Sequence, residues 1–202
     1  MTDLAAPDLD RLYAPPKPLT VKKTLDHVEK HGARFIGRSP FCVVASAGPD
    51  GAMDVSPRGG SPGFVRVADP KTLMMPDRPG NNRLDTLRNL LAGPGRVAVM
   101  FMIPGLDDIY RVNGRASITD DAALLESFQE FGKPPRSIMK IAVEEAFLHC
   151  PKALMRGALW DASTWADRSE IPSVAEMVSD QLGLGKPALS DAEIVEGYKT
   201  QL

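Results

Sequence analysis

The chain has 202 residues, and its 24 basic and 26 acidic side chains give a formal net charge of −2. This length suits one domain with added terminal elements, and the charge balance excludes a generally polycationic nucleic-acid binder and an acidic tail protein. Two cysteines, Cys42 and Cys150, are too few for a disulfide scaffold or a four-thiolate zinc site. No apolar run approaches the ~20 residues of a membrane span, and no secretory signal is visible at the N-terminus. We therefore expect a cytoplasmic protein that binds neither membranes nor nucleic acids.

The N-terminal part of the sequence predicts an extended arm followed by one helix. Residues 1–19 contain four prolines, which disfavour regular structure. Apolar residues then return at helical spacing, at Val21, Leu25 and Val28, and Gly32 is placed to end the helix.

Short apolar runs separated by turn residues predict six or seven β-strands. The first two form a hairpin over residues 41–57, around the turn residues Pro49, Asp50 and Gly51. Further strands are predicted at 64–67, 72–75, 96–103, 110–119 and 138–149, and helical segments at 83–91, 120–131, 150–160, 174–182 and 191–199. So few helices between so many strands exclude a parallel doubly wound sheet. The pattern predicts a mainly β fold, an antiparallel barrel flanked by helices, which closes on itself and so removes its sheet edges.

Three motifs that suggest chemistry have simpler interpretations. The sequence Gly59-Gly-Ser-Pro-Gly63 matches a hydrolase nucleophile pattern, but Pro62 follows the serine and has no N–H for an oxyanion hole. His27 and His31 have metal-ligand spacing without a third ligand, so a solvated helix face is the better interpretation. Cys42 lies inside an apolar run and is predicted to be a buried thiol.

The segment 54–88 carries the strongest chemical signal. It contains several arginines, and Asn82 and Arg83 lead directly into the helix predicted from residue 83, with Asn82 as its N-cap. A helix N-terminus and planar guanidinium groups both suit a phosphate. A capped surface helix with solvated arginines explains the same residues equally well, so composition and spacing leave both interpretations open.

The order of these motifs resembles the pyridoxamine 5′-phosphate oxidase-like family of FMN-binding split β-barrels. The resemblance spans about residues 35–165, and its most specific part is the stretch 73–88, Leu-Met-Met-Pro-Asp-Arg-Pro-Gly-Asn-Asn-Arg-Leu-Asp-Thr-Leu-Arg. Further matches lie at 110–116, 133–137 and 147–161. The sequence is most similar to a branch of FMN-dependent enzymes of unknown substrate. The signature with which pyridoxamine oxidases hold their substrate near the C-terminus is not evident.

The resemblance implies a homodimer with FMN at the subunit interface. Arg58, Asn82 and Arg83 would hold the phosphate, and the strand end from Met75 to Asp77 would run under the flavin ring. Arg156 and Trp160 would complete the site, Trp160 by stacking; an aromatic plug on the barrel, with no role in the site, is an equally good interpretation of Trp160. The implied cofactor-binding residues are Ser56, Arg58, Met75, Pro76, Asp77, Asn82, Arg83, Arg156 and Trp160.

The sequence thus predicts three parts: an N-terminal arm and helix (1–34), an FMN-binding split barrel (35–165) and a helical tail (166–202). We expect a flavin-dependent oxidoreductase that acts on a small organic substrate but not as a pyridoxamine oxidase, and the sequence names no catalytic acid, base or metal site. Two alternatives remain: a non-catalytic flavin-binding or storage protein, and a split barrel that binds another ligand such as haem.

Overall fold

The computed structural model describes residues 3–130, 132–185 and 189–199. Its centre is one antiparallel sheet of seven strands, as the hydrophobic pattern predicts. The strands are β1 (Phe41–Ala47), β2 (Met53–Gly59), β3 (Arg66–Asp69), β4 (Thr72–Asp77), β5 (Arg96–Met102), β6 (Ile109–Thr119) and β7 (Ser137–His149). The predicted hairpin of residues 41–57 is confirmed, because β1 and β2 pair antiparallel across the turn.

The sheet has the strand order β2-β1-β5-β6-β7-β4-β3, and it does not close. Within the described residues no ladder joins β2 to β3, so the expectation that the barrel removes its own edges is wrong. Both edge strands are poorly suited to such a ladder. Pro57 in β2 has no N–H to donate, and β3 has four residues with an irregular register between Val67 and Asp69.

The described part of the chain also has eight α-helices and three short 3-10 helices. The α-helices are α1 (Leu9–Leu12), α2 (Pro18–Lys22), α3 (Lys30–Ile36), α4 (Asp85–Ala92), α5 (Ala122–Ser127), α6 (Lys152–Arg156), α7 (Val174–Leu182) and α8 (Asp191–Lys199). The bounds of α7 and α8 are those predicted from the sequence. The predicted helix 120–131 is shorter, and its last residue, Phe131, lies outside the described residues.

The N-terminal predictions need correction. The arm is not simply extended, because it contains α1 and α2, and the single predicted helix is two helices. Gly32 lies inside α3 rather than at its end. A Cβ at this position would come within 2.3 Å of the Tyr110 ring, so the glycine allows close packing of the helix on β6. Spacing alone does not separate such a packing glycine from a helix-ending one.

The core lies against alternate residues of the sheet. Cys42 and Val44 of β1 and Val99 and Phe101 of β5 are fully or almost fully buried. Helix α4 covers one end of this core with Leu90, which is also buried. No helix in the described ranges is long and apolar enough to cross a membrane.

Candidate ligand-binding cleft

A cleft of about 800 Å³ opens along the split of the barrel. One wall is β2, residues 54–59, and the other is the end of β4 with the loop into α4, residues 76–87. Arg136 and Ser137, at the start of β7, also line it. The cleft therefore occupies the gap that the open sheet leaves beside β2.

An ion pair spans this gap. Arg58 Nη2 on β2 lies 3.5 Å from the Asp77 Oδ1 atom at the end of β4, and the two side chains are only 20% and 14% exposed. Arg58 also donates to Ser56 Oγ and, at 2.9 Å, to the carbonyl oxygen of Pro57. These contacts hold the guanidinium at one end of the cleft.

Burial changes the pKa of two groups beside Arg58. It raises the pKa of Asp77, and the positive charges of Arg58 and Arg136 oppose that effect. It also raises the pKa of the Cys42 thiol to about 12, although Arg58 again acts in the opposite direction. Cys42 is therefore a protonated thiol at neutral pH, as expected for a structural residue, and Asp77 holds a proton more readily than an exposed carboxyl group does.

The loop into α4 has an unusual backbone. Asn82 and Leu84 both adopt positive φ angles, 56° and 60°. The helix begins at Asp85 with Leu84 in the N-cap position, so the prediction of Asn82 as N-cap is wrong. Leu84 offers no side-chain oxygen to the first amides of the helix, which leaves those amides for another partner.

Helix α4 is anchored to the opposite wall by its first turn. The hydroxyl of Thr86, which is buried, donates to Asp54 Oδ2 at 2.6 Å. Further along the helix, Asn89 Nδ2 donates to Ser46 Oγ at 3.1 Å. The start of α4 therefore faces the beginning of β2, four residues before Arg58. At about 3.3 Å per strand residue, the two ends of the cleft are roughly 13 Å apart.

Arg83 lies on the solvent side of this loop. Its side chain is 76% exposed, and its Nε donates to Asp85 Oδ2 at 2.8 Å. Its backbone N–H donates to Asn81 Oδ1 at 3.1 Å. The structure thus gives Arg83 and Arg58 different carboxylate partners, Asp85 and Asp77.

Arg78 fixes the other end of the loop. It forms a 3.1 Å ion pair with Glu130 and donates to the carbonyl oxygen of Phe128 at 2.8 Å. Glu130 also accepts the backbone N–H of Ser61 at 2.7 Å. Burial raises the pKa of Glu130, but the hydrogen bonds from Ser61 and Arg78 outweigh it, so the net pKa is lowered. This network joins the loop to the glycine-rich segment after β2.

Arg136, like Arg78, lines the cleft and was not among the predicted site residues. Its backbone N–H donates to the carbonyl oxygen of Asp77 at 3.0 Å, which places it beside the Arg58–Asp77 pair. Among the described residues its side chain has no recorded hydrogen bond or ion pair. Its only signal in the sequence is its place in the Lys133–Ser137 motif, and nothing there indicates that it faces the β2 wall.

The predicted site residues fall into three groups. Six of them line the cleft: Ser56, Arg58, Pro76, Asp77, Asn82 and Arg83. Met75 is buried in the core, with its backbone in β4 beneath the cleft. Arg156 and Trp160 do not line the cleft of a single chain.

Arg156 and Trp160 instead make local contacts near α6. Arg156 is exposed, and its Nε donates to the carbonyl oxygen of Lys152 at 3.1 Å. Trp160 is half-buried, and its indole N–H donates to the carbonyl oxygen of Leu106 at 2.9 Å. Their contribution to the site stays a prediction that requires a second chain.

Fold and cleft together define a split-barrel protein with a polar, arginine-rich cleft at the split. A family model described as pyridoxamine 5′-phosphate oxidase matches residues 28–150, more than half of the chain. The chain belongs to this family. None of the curated proteins matches it.

Solved structures similar to this chain share the fold at low identity. HupZ from Group A Streptococcus is 21% identical, with a TM-score of 0.47, and the match covers 60% of this chain and 93% of HupZ. An F420 reductase is 19% identical, with a TM-score of 0.43 and coverages of 57% and 94%. A FAD-binding protein from Mesorhizobium loti is 17% identical, with a TM-score of 0.41 and coverages of 63% and 97%.

Proposed function

We propose that this protein binds FMN in the cleft at the split of its barrel and acts as a flavin-dependent oxidoreductase on a small organic substrate. The observation that carries the proposal is the donor set of the cleft. Arg58, Arg83 and Arg136 line a cavity into which the uncapped start of α4 also faces. Guanidinium groups and helix N-terminal amides are the donors that a phosphate monoester requires.

The size and chemistry of the cleft fit such a ligand. Its volume of about 800 Å³ lies within the ~300–1,000 Å³ that is usual for small-molecule sites. The residues that line it in the described structure include no His, Cys, Met or Tyr, the side chains through which proteins ligate haem iron. The cleft of one chain therefore suits a phosphorylated ligand better than haem.

The two ends of the cleft suggest a division of roles. Asn82, Arg83 and the first amides of α4 would hold the phosphate, because they are exposed at the end where the helix begins. Arg58, Asp77 and the backbone of Pro76 would lie beside the ring at the other end. This departs from the prediction in one respect: Arg58 would lie near the ring rather than at the phosphate, because its side chain is only 20% exposed whereas that of Arg83 is 76% exposed.

The chemistry of the reaction would come from the flavin, which transfers electron pairs when it is bound. The residues of this chain would bind and orient it and set the local charge. Burial raises the pKa of Asp77, and the carboxylate pairs with the guanidinium of Arg58. Arg136 adds a positive charge beside it.

We also propose that the protein works as a homodimer. Members of this family are typically dimeric. Strand β2 exposes Met53 and Val55 to 70% and 65%, and Phe41 on the neighbouring strand is exposed as well. This apolar edge borders the cleft, so a second chain seated there would also cover the cleft and bring its own side chains, such as Trp160, near it.

A direct experiment tests the proposal. The purified protein is examined by visible absorbance, and the apoprotein is titrated with FMN and with riboflavin. We expect flavin bands and tighter binding of FMN than of riboflavin. The holoprotein is then assayed for oxidation of NADPH and of reduced deazaflavin. Binding without any turnover would favour the storage alternative, and failure to bind FMN would refute the proposal.

A further inference from the structure

The two terminal segments that flank the family domain expose most of the large apolar side chains found on the surface of the described chain. We call residues 3–24 the N-terminal segment and residues 166–199 the C-terminal tail; both lie outside the family match at 28–150. In the N-terminal segment the exposed residues are Leu4, Leu9, Leu12, Tyr13, Leu19 and Val21. In the C-terminal tail they are Ile171, Val174, Met177, Val178, Leu182, Leu184, Leu189, Val195 and Tyr198.

The sequence of the C-terminal tail contains residues that begin and end helix α7. Ser173 and Glu176 form a capping box at its start, and Gly183 ends it in the left-handed conformation. Its apolar residues Val174, Met177, Val178 and Leu182 recur at helical spacing and so form one stripe.

This stripe is uncovered in the single chain. Its four side chains are 40–65% exposed, whereas the buried residue of the helix is the small Ser179. Nine residues are too few for a stable helix in water, because isolated helices shorter than ~12–15 residues are marginal. The helix therefore needs a surface on which to bury its stripe.

The accessible surface of the whole chain is larger than that of a compact monomer of the same mass. The chain has an accessible surface of 13588 Å². A compact monomer of 21.8 kDa has about 9,300 Å² by the usual scaling with mass. The excess of roughly 4,000 Å² is more than the ~1,000–2,500 Å² that each partner contributes to a large obligate interface.

Charge indicates what kind of surface covers the tail. Residues 166–199 contain seven acidic and three basic side chains, which disfavours anionic membranes and nucleic acids. The N-terminal segment has four basic and three acidic side chains, and its positive charges lie together in residues 11–24, which carry Arg11, Lys17, Lys22 and Lys23 and no acidic residue. The described structure records no hydrogen bond or ion pair between the two segments within one chain, so a second copy offers a surface of complementary charge.

We infer that the C-terminal tail crosses to a second copy of this chain, where the apolar stripe of α7 is buried. The inference rests on the homodimer of the proposed function and adds to it that the tail, outside the family domain, is part of the interface. Each chain would then contact its partner through its own C-terminal tail.

The test compares two variants of the full chain by sedimentation over a range of concentrations. Val178→Ser with Leu182→Ser removes half of the stripe. Asp180→Ser is the matched control, since Asp180 is exposed on the opposite side of the same helix. We expect the dimer dissociation constant to rise at least tenfold for the double variant and to stay within about twofold of the parent for the control.

A second measurement does not depend on substitutions that could unfold the helix. A benzophenone amino acid is placed at Met177, or at Asp180 as control, in a mixture of isotopically heavy and light chains. We expect heavy–light cross-links from position 177. Cross-links confined to one chain, or none, would overturn the inference.

The outcomes separate this inference from the proposed function. A parent protein that is monomeric would refute both the proposed dimer and the crossing tail. A parent dimer that binds FMN, together with a double variant that dimerises equally well, would overturn the crossing tail alone.

Discussion

Arg58 and Asp77 form an ion pair between two strands that are not neighbours in the sheet. Arg58 is on β2, at one edge, and Asp77 ends β4, next to the strand at the other edge, yet their charged atoms are 3.5 Å apart. The sheet must therefore curl until its two ends approach. Side chains bridge the gap where a closed barrel would have backbone hydrogen bonds.

Arg83→Ala should weaken FMN binding by about ten- to a hundredfold, because it removes a charge-assisted contact worth roughly 1.5–3 kcal/mol. Riboflavin affinity should not change, since riboflavin has no phosphate. The free energy of unfolding should also stay the same, because the side chain is exposed. Titration of the apoprotein with both flavins measures the effect. Arg88→Ala is the control, because Arg88 is exposed on α4 and outside the cleft; equal losses of both flavins would contradict a phosphate contact.

Asp77→Asn should change how stability depends on pH. Burial raises the pKa of Asp77 above 3.8, so the folded state binds its proton more tightly than the unfolded state does. The parent therefore loses stability as pH rises from about 3.8 through the raised pKa, and the variant lacks this loss. Urea unfolding at several pH values should show that the free energy of unfolding of the variant rises relative to that of the parent across that window. Above the window the difference should stay constant.

Asp108→Asn serves as the control for this experiment, since Asp108 is exposed and distant in sequence from the cleft. It removes one carboxyl group from the surface, as Asp77→Asn removes one from the cleft. A profile for Asp77→Asn that runs parallel to that of the parent would show that Asp77 titrates alike in the folded and unfolded states.

The two thiols should differ in reactivity. Cys42 is buried with its pKa raised to about 12, whereas Cys150 is exposed. A disulfide reagent should label one thiol per native chain and two in denaturant, and Cys150→Ser should abolish the native labelling. Cys42→Ala and Cys150→Ser should leave any flavin turnover intact; loss of turnover with FMN still bound would indicate thiol chemistry.

Mixed dimers test whether one site uses residues of both chains. Arg83→Ala and Trp160→Ala homodimers should each bind FMN poorly. If the two residues meet across the interface, a mixed dimer has one site with both lesions and one with none, so about half of its sites should recover, given two-fold symmetry. Absence of recovery, with subunit exchange confirmed independently, would favour a site built within one chain.

Gly114→Ala should destabilise the fold. An added Cβ would lie 2.1 Å from the carbonyl oxygen of Ala142 on the neighbouring strand, so β6 or β7 must shift. Overpacking of this kind typically costs about 1–3 kcal/mol. Gly80→Ala is the control, because nothing lies within 4 Å of the new atom. Chemical denaturation of both variants measures the difference, and equal stabilities would show that the strands adjust freely.

The strands and the tail helices could be predicted from the sequence because their signals are local. Alternation and turn residues mark the hairpin of β1 and β2, and the cap residues Ser173 and Gly183 stand directly before and after α7. The open edge could not be predicted in this way. It depends on which strands meet after the chain has folded, and the single Pro57 does not reveal that.

The candidate site was predictable in part for the same reason. Arg58, Asp77 and Arg83 occur in a segment rich in turn and charged residues, which draws attention to them. Arg136 lies 53 to 78 residues further along the chain and enters the cleft only because β7 pairs with β4. The predicted start of α4 was wrong because Leu84 adopts a left-handed backbone conformation, which a leucine in the sequence does not indicate.

The split also determines how the cleft can respond to molecules of different width. In the described structure no backbone ladder crosses the opening. Its two walls are joined by a few side-chain contacts, such as that between Arg58 and Asp77. Widening the opening therefore breaks side-chain contacts, among them the Arg58–Asp77 ion pair and the Thr86–Asp54 hydrogen bond, and leaves the backbone pairing intact. Such a fold can come to bind a different ligand through substitutions in the two walls of the cleft, because the stability of the sheet depends on strand pairing outside the cleft.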